Sequence, residues 1–143
     1  MKKLITFLTL LPLLVACGGN DDQNECNFLP NVGVNASLNM NLPQYSQLQF
    51  PSNPVYVGNQ GGVGGFFVVN TGFGFMAFDA ADPNHTVSNC STLSIDGIEG
   101  VCGCTDANTY SLITGQPLYN SELPCGLRMY VVEQSGNMLY VYN

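Results

Sequence analysis

The chain has 143 residues, of which 45% are hydrophobic and only 9% charged, with 16 glycines, 8 prolines and a formal net charge of −7. That length suits one modest domain. The acidic balance excludes nucleic acid, whose phosphates would be repelled, and gives no electrostatic draw toward anionic lipid headgroups.

The first segment reads as an address. Met1, Lys2 and Lys3 form a short basic start, and residues 4–15 are apolar apart from Thr6, Thr9 and Pro12. Leu14, Val15 and Ala16 then lead to Cys17, followed by Gly18 and Gly19. Basic, apolar, small is the order of a secretory signal. The run is shorter than the roughly 20 apolar residues of a membrane span. A small residue followed by Cys at the cleavage point is similar to a bacterial lipobox. That resemblance implies a lipoprotein signal peptide over residues 1–16 and a lipidated Cys17 as the first mature residue. The alternative is an ordinary secreted protein with an incidental Cys17. Three acyl chains would anchor the protein firmly, since each buried CH₂ adds about 0.8 kcal/mol.

Residues 17–25 read as the lipidated Cys and an acidic flexible tether, because Asn20, Asp21, Asp22, Gln23, Asn24 and Glu25 offer nothing to bury. Asp21 and Asp22 are either a surface-export signal or a plain solvated spacer. Loss of Lys2 and Lys3 with the signal leaves Arg128 alone against ten acidic residues. The expected location is the cell envelope, as an outer-membrane lipoprotein facing the periplasm or the cell surface. Its expected partners are the membrane, through the N-terminal lipid, and an envelope protein or ligand that the sequence does not identify.

Residues 26–143 read as one all-β domain. Residues 34–42 alternate apolar and polar with period two, which predicts a half-buried strand. Residues 48–51 continue that trace, with Pro51 at an edge or strand end, and 55–57 form a short strand. The Gly-rich run 60–65 precedes a strand and has no following Lys, so it reads as a turn and not a phosphate cradle. Phe66, Phe67, Val68 and Val69 show no alternation and predict a strand buried on both faces. Thr71 and Gly72 turn that strand into residues 73–79, and a loop follows over 80–88. Residues 93–102 read as strand, tight turn, strand. Residues 109–113 form a further strand, ended by Thr114, Gly115, Gln116 and Pro117, and 121–124 form an irregular connector. Residues 127–133 and 137–142 pair across Gln134, Ser135 and Gly136. Nothing shows helical periodicity or an internal repeat, and the fold class is all-β.

The stretch from Asp79 to Val141 carries a more specific pattern. Phe78-Asp79-Ala80-Ala81-Asp82-Pro83-Asn84-His85 is followed by Val101-Cys102-Gly103-Cys104-Thr105, a strand from Tyr110, the turn Gly115-Gln116-Pro117-Leu118 and a hairpin. This resembles a Rieske domain. The resemblance implies an antiparallel β-sandwich or partial barrel whose two loops hold a [2Fe–2S] cluster, through Cys-x-His in one loop and Cys-x-x-His in the other. The first-loop Cys falls on Asp82 and its His on Asn84. The second-loop Cys falls on Cys102 and its His on Thr105. One of the four ligands remains, so these positions read as vestigial. A Rieske centre needs two thiolates on one iron and two imidazoles on the other, and oxygen donors replace soft thiolates poorly. His85 lies one residue past the expected position and is the only His in the chain. No cofactor is expected, and [2Fe–2S] comes in by resemblance alone.

With Cys17 lipidated, five cysteines remain. An oxidising compartment favours disulfides, and an odd number leaves one thiol free or paired outside the chain. Cys102 and Cys104 share a face and are poor partners for each other. The Rieske resemblance implies that Cys104 bridges to the first loop, where Cys90 is the nearest partner. Cys26 and Cys125 are the second candidate pair, which would leave Cys102 unpaired. Cys90–Cys102 stays open as an alternative.

Three functional readings follow. The first is an envelope lipoprotein whose Rieske-like domain has lost its cluster and serves a structural or interaction role. The second is a Rieske-type electron-transfer protein with unusual ligands. The third is a thiol-redox protein using Cys102 and Cys104, against which stands the shortage of cations to activate a thiolate. Cys90, Cys102, Cys104 and His85 also have the number and type of zinc or cluster ligands, with spacings that match no established pattern. One His, one mature Arg and no mature Lys supply few general acids or bases, so no enzyme is expected. Asp79, Asp82, Asp96 and Asp106 stand near turns, where carboxylates cap backbone N–H groups, and no calcium loop of the Asp-x-Asp-x-Asp-Gly kind appears.

Overall fold

The computed structural model describes residues 26–143. The signal segment, Cys17 and the tether lie outside the described residues. Ten strands run in the order β1 (Asn35–Asn39), β2 (Val55–Val57), β3 (Phe66–Asn70), β4 (Phe75–Asp79), β5 (Leu93–Asp96), β6 (Glu99–Cys102), β7 (Thr109–Ser111), β8 (Pro117–Leu118), β9 (Met129–Ser135) and β10 (Met138–Tyr142). They form a six-stranded sheet in the order β1-β10-β9-β4-β3-β2 and a four-stranded sheet in the order β5-β6-β7-β8. Every strand pairing is antiparallel.

The large sheet curls into a half-barrel filled by its own inner face. Val34, Ala36, Leu38, Val57, Phe66, Val68, Ala77, Tyr130, Leu139 and Val141 form that core with Met40 and Leu48. A bridge between Val34 and Gly61 draws the start of β1 toward the chain that follows β2. The second core lies on the other side of β3 and β4. There Phe67, Phe78 and Ala80 pack against Leu93, Cys102, Tyr110, Leu112 and Leu127 from the small sheet and its connections. This explains why Phe66, Phe67, Val68 and Val69 show no polar alternation. Even positions of β3 fill the half-barrel while Phe67 lies under the small sheet, so both faces are dry.

Two local readings are corrected. Residues 48–51 do not continue a strand; Ser46–Gln49 form one turn of 3-10 helix, with Leu48 buried. A single such turn leaves no periodic signature to read. The Gly115-Gln116-Pro117-Leu118 turn ends in β8, a two-residue edge strand paired with β7, where the missing N–H of Pro117 is tolerated. Gly115 sits at φ +73°, and a Cβ there would stand 2.6 Å from the Phe78 ring, so this turn needs glycine on both counts.

The segment before β1 is tied down at two points. Cys26 is bonded to Cys125. The Arg128 guanidinium donates to the carbonyls of Pro30 (2.7 Å) and Leu29 (2.8 Å). No helix among the described residues is long and apolar enough to cross a membrane.

Candidate functional site between two disulfide-linked loops

Two loops converge at the end of the half-barrel where β4 stops. Loop one runs over residues 80–92, between β4 and β5. Loop two runs over residues 103–108, between β6 and β7. Cys90–Cys104 joins them covalently, and the Gly103 N–H donates to the Cys90 carbonyl at 3.1 Å. A surface cavity lined by Met40, Gln49, Asn70, Phe73 and Gln134 lies at the opposite end of the sheet, by the β3–β4 and β9–β10 turns.

Between the loops the polar side chains satisfy one another. Asp82 is fully buried. Its Oδ1 accepts from the Tyr110 hydroxyl (2.5 Å) and the Asn84 backbone N–H (2.9 Å), and its Oδ2 accepts from Asn108 Nδ2 (2.9 Å). Asn84 Nδ2 donates to the Tyr110 hydroxyl (2.8 Å) and to the Cys125 carbonyl (2.7 Å), while its Oδ1 accepts the Cys125 N–H (3.1 Å). Asn84 thus clamps loop one onto the segment that carries the Cys26–Cys125 bond. Asn108 also reaches Asp106 Oδ2 at 3.2 Å. No buried side-chain nitrogen or oxygen among the described residues lacks a partner, as a dry polar cluster requires.

A second buried carboxylate braces the same end from below. Asp79 is fully buried. It accepts the N–H of Val63 (2.7 Å), Gly64 (3.2 Å) and Ala81 (2.8 Å), and the hydroxyl of Tyr130 (2.6 Å). The Gly-rich turn therefore cradles an internal carboxylate, in the manner in which such turns bind anions. Gly62 adopts φ +80° there, and a Cβ on it would lie 2.5 Å from the Gly65 carbonyl oxygen. Sequence reasoning placed Asp79 and Asp82 at turns, and each does cap a backbone N–H two residues on. It missed their long-range partners Tyr130 and Tyr110. Strand parity was the available signal: Asp79 shares the inner face with Ala77, so its charge had to meet internal donors.

The four positions matching the Rieske ligands do not form one donor set. Asp82 and Asn84 are spent on the contacts above. Thr105 is exposed. Cys102 is buried and is the free cysteine among the described residues. Its Sγ lies 3.7 Å from the Cys90 carbonyl. Burial first, then the neighbouring Asp82 carboxylate, push its thiol up to about 11. His85 is half-buried, with Nδ1 2.6 Å from the Thr86 carbonyl. A cluster needing two thiolates and two imidazoles does not fit these residues: one thiol is present, the single imidazole lies outside the set, and the remaining donors are oxygens already engaged.

The same burial predicts alkaline lability. Burial and the adjacent carboxylates raise the phenols of Tyr110 and Tyr130 above their ordinary value of 10.0, as they raise Cys102 above 9.0. A group with a raised folded-state value stabilises the fold fully below its unfolded value and loses that contribution as the pH climbs through the folded one. The urea midpoint is therefore expected to hold between pH 7 and about 8.5 and to fall steadily from about pH 9 to 11. Tyr110→Phe should flatten part of that fall, and an unchanged profile in this variant would show that Tyr110 contributes nothing to it.

No family model matches the sequence, and no curated protein matches it. Two solved structures are similar in fold. One is a chain of the complex of reduced oxygenase and oxidized ferredoxin in carbazole 1,9a-dioxygenase, at 20% identity and TM-score 0.47, covering 77% of this chain and 92% of that one. The other is the ferredoxin of carbazole 1,9a-dioxygenase from Nocardioides aromaticivorans IC177, at 18% identity and TM-score 0.46, covering 76% of this chain and 96% of that one.

Proposed function

We propose that residues 26–143 are a Rieske-like domain in which a closed hydrogen-bond network has taken the place of the [2Fe–2S] cluster, and that the protein serves the cell envelope as a lipid-anchored structural or interaction module. One observation carries this reading. Asp82 and Asn84, at the positions of the first-loop ligands, spend their polar atoms on Tyr110, Asn108 and the Cys125 backbone. The loop framework with its bridging disulfide is retained, and its interior is satisfied without a metal. The lipid anchor rests on the sequence from Leu14 to Cys17, and the structural or interaction role on the mutual satisfaction of the buried polar side chains between the loops.

The test is the metal content of the full chain purified without oxygen. The expected protein is colourless and folded, with iron and acid-labile sulfide far below one per chain. Stoichiometric iron and sulfide with visible absorption would overturn the proposal and make this an electron carrier with a new ligand set. The scaffold half is tested separately by the variant Asp82→Cys, Asn84→His, Thr105→His, which restores the missing ligands beside Cys102. Cluster assembly in that variant is expected, under conditions that load a working Rieske domain. A folded variant that never assembles one would remove the Rieske-like part of the reading.

A further inference from the structure

The loop junction holds a second constellation, of which only Asp106 enters the hydrogen-bond network around Asp82. A ring nitrogen of His85, Cys90 Sγ and Cys104 Sγ all lie within 4.8 Å of one another. Cys102 Sγ, Cys104 Sγ and an Asp106 carboxylate oxygen do the same. Cys104 is the shared vertex of the two groups, which bring three sulfurs and one imidazole to the same loop junction. In a tetrahedral zinc site the Zn–S bonds of about 2.3 Å and the Zn–N bond of about 2.0–2.1 Å place neighbouring donor atoms roughly 3.5–3.8 Å apart. Each group lies within 4.8 Å, so forming one tetrahedral set requires Cys102 to move toward His85 and Cys90, which share no group with it. One pair is instead too close, since Cys90 and Cys104 share a covalent bond.

We propose that the Cys90–Cys104 disulfide is the closed state of a thiophilic metal site. Its reduction frees a Cys₃His set, Cys90, Cys102, Cys104 and His85, for a d¹⁰ cation of the zinc type. The reductant is a dithiol. It passes two electrons and two protons to the disulfide, leaving Cys90 and Cys104 as thiols and itself as a cyclic disulfide. Metal binding then displaces one proton from each of the three thiols to solvent.

Four features support the site. Residues 86–90 are all exposed, so a reductant reaches the bond from solvent. The loops stay apposed without it. Gly103 N–H meets the Cys90 carbonyl at 3.1 Å, and Asn108 Nδ2 meets Asp82 Oδ2 at 2.9 Å. The imidazole is also oriented. A carbonyl can only accept, so His85 donates from Nδ1 to Thr86 and presents Nε2 as its lone-pair nitrogen. Asp82 and Asp106 add negative charge that favours a cation beside them. The site shares only Cys102 with the vestigial positions and does not depend on the Rieske-like reading.

Cobalt(II) is the probe, titrated into the full chain with and without a phosphine reductant, in the absence of oxygen. The oxidised protein is expected to show no tetrahedral d–d bands. The reduced protein is expected to bind one Co²⁺ with strong sulfur-to-metal charge transfer, which one equivalent of Zn²⁺ displaces. Cys90→Ser with Cys104→Ser should abolish the signal. Cys26→Ser with Cys125→Ser should leave it intact, and His85→Ala should weaken binding by at least about tenfold. The proposal is overturned if the reduced chain loses its near-UV circular dichroism before metal is added. It is also overturned if the reduced chain stays folded without tetrahedral bands, or if the bands persist undiminished in the Cys90→Ser, Cys104→Ser variant.

Discussion

Asp79→Ala is expected to cost about 4 kcal/mol or more, enough to leave the domain mostly unfolded at 37 °C. Four donors converge on this buried carboxylate, three of them backbone N–H groups and one the Tyr130 hydroxyl. Truncation strands all four in a fully buried position. Each unmet buried donor costs about 1–3 kcal/mol, and even with partial relaxation the sum approaches the whole stability of a domain, about 5–15 kcal/mol. Asp79→Asn should lose about half as much, because one carboxamide oxygen still accepts while the NH₂ faces other donors. Tyr130→Phe removes a donor and leaves the carboxylate three partners, so about 1 kcal/mol is expected. Urea unfolding of the three variants checks the order. If Asp79→Ala and Tyr130→Phe cost the same, the Gly-rich turn does not depend on this carboxylate.

The second large effect belongs to the Cys26–Cys125 bond. It joins residues 99 apart in sequence, against 14 for Cys90–Cys104. In the chain-entropy account, closing a loop of about 100 residues stabilises by about 4.7 kcal/mol and one of about 15 by about 3. Replacing Cys26 and Cys125 with serine is therefore expected to cost more than replacing Cys90 and Cys104, by roughly 1–2 kcal/mol. The native state should change little. Leu29 is buried, and Arg128 still holds the carbonyls of Leu29 and Pro30. Equilibrium unfolding of the two double variants, oxidised throughout, measures the difference. A reversed order would show that the short bridge stabilises by locking the native loops together.

The strand framework was legible because its signals are local. Gly97 and Gly136, both at positive φ, mark the tight turns of the β5–β6 and β9–β10 hairpins, and the unbroken apolar run of β3 announced burial on two sides. The structure joins Cys90 to Cys104, the bridge the family resemblance implied, and Cys26 to Cys125, the second candidate pair, with Cys102 the free cysteine among the described residues. What stayed hidden depends on distance in the fold. Asp79 meets Tyr130 across 51 residues, and Asp82 meets Tyr110 across 28. No motif links such pairs; strand parity turns Asp79 inward, while Asp82 lies in loop one, where no strand period applies. The resemblance named Asp82 and Asn84 as lost ligands, but that Asn84 clamps the Cys125 backbone needed coordinates. The 3-10 turn at Ser46–Gln49 and the two-residue β8 are too short for any period to show.

Arg128 has a practical consequence for how this protein meets proteases. Lys2, Lys3 and Arg128 are the only basic side chains of Lys or Arg type in the chain, so residues 26–143 offer trypsin a single bond, between Arg128 and Met129. In the folded protein that bond borders β9, and its guanidinium is held by two carbonyls. One cut there would release the last fifteen residues, which carry β9 and β10, because both disulfides close on the N-terminal side of it. Digestion therefore yields a single two-fragment pattern whose rate reports how often the β9 edge of Arg128 opens. A protein with this composition passes through trypsin-like environments intact for as long as that edge stays closed.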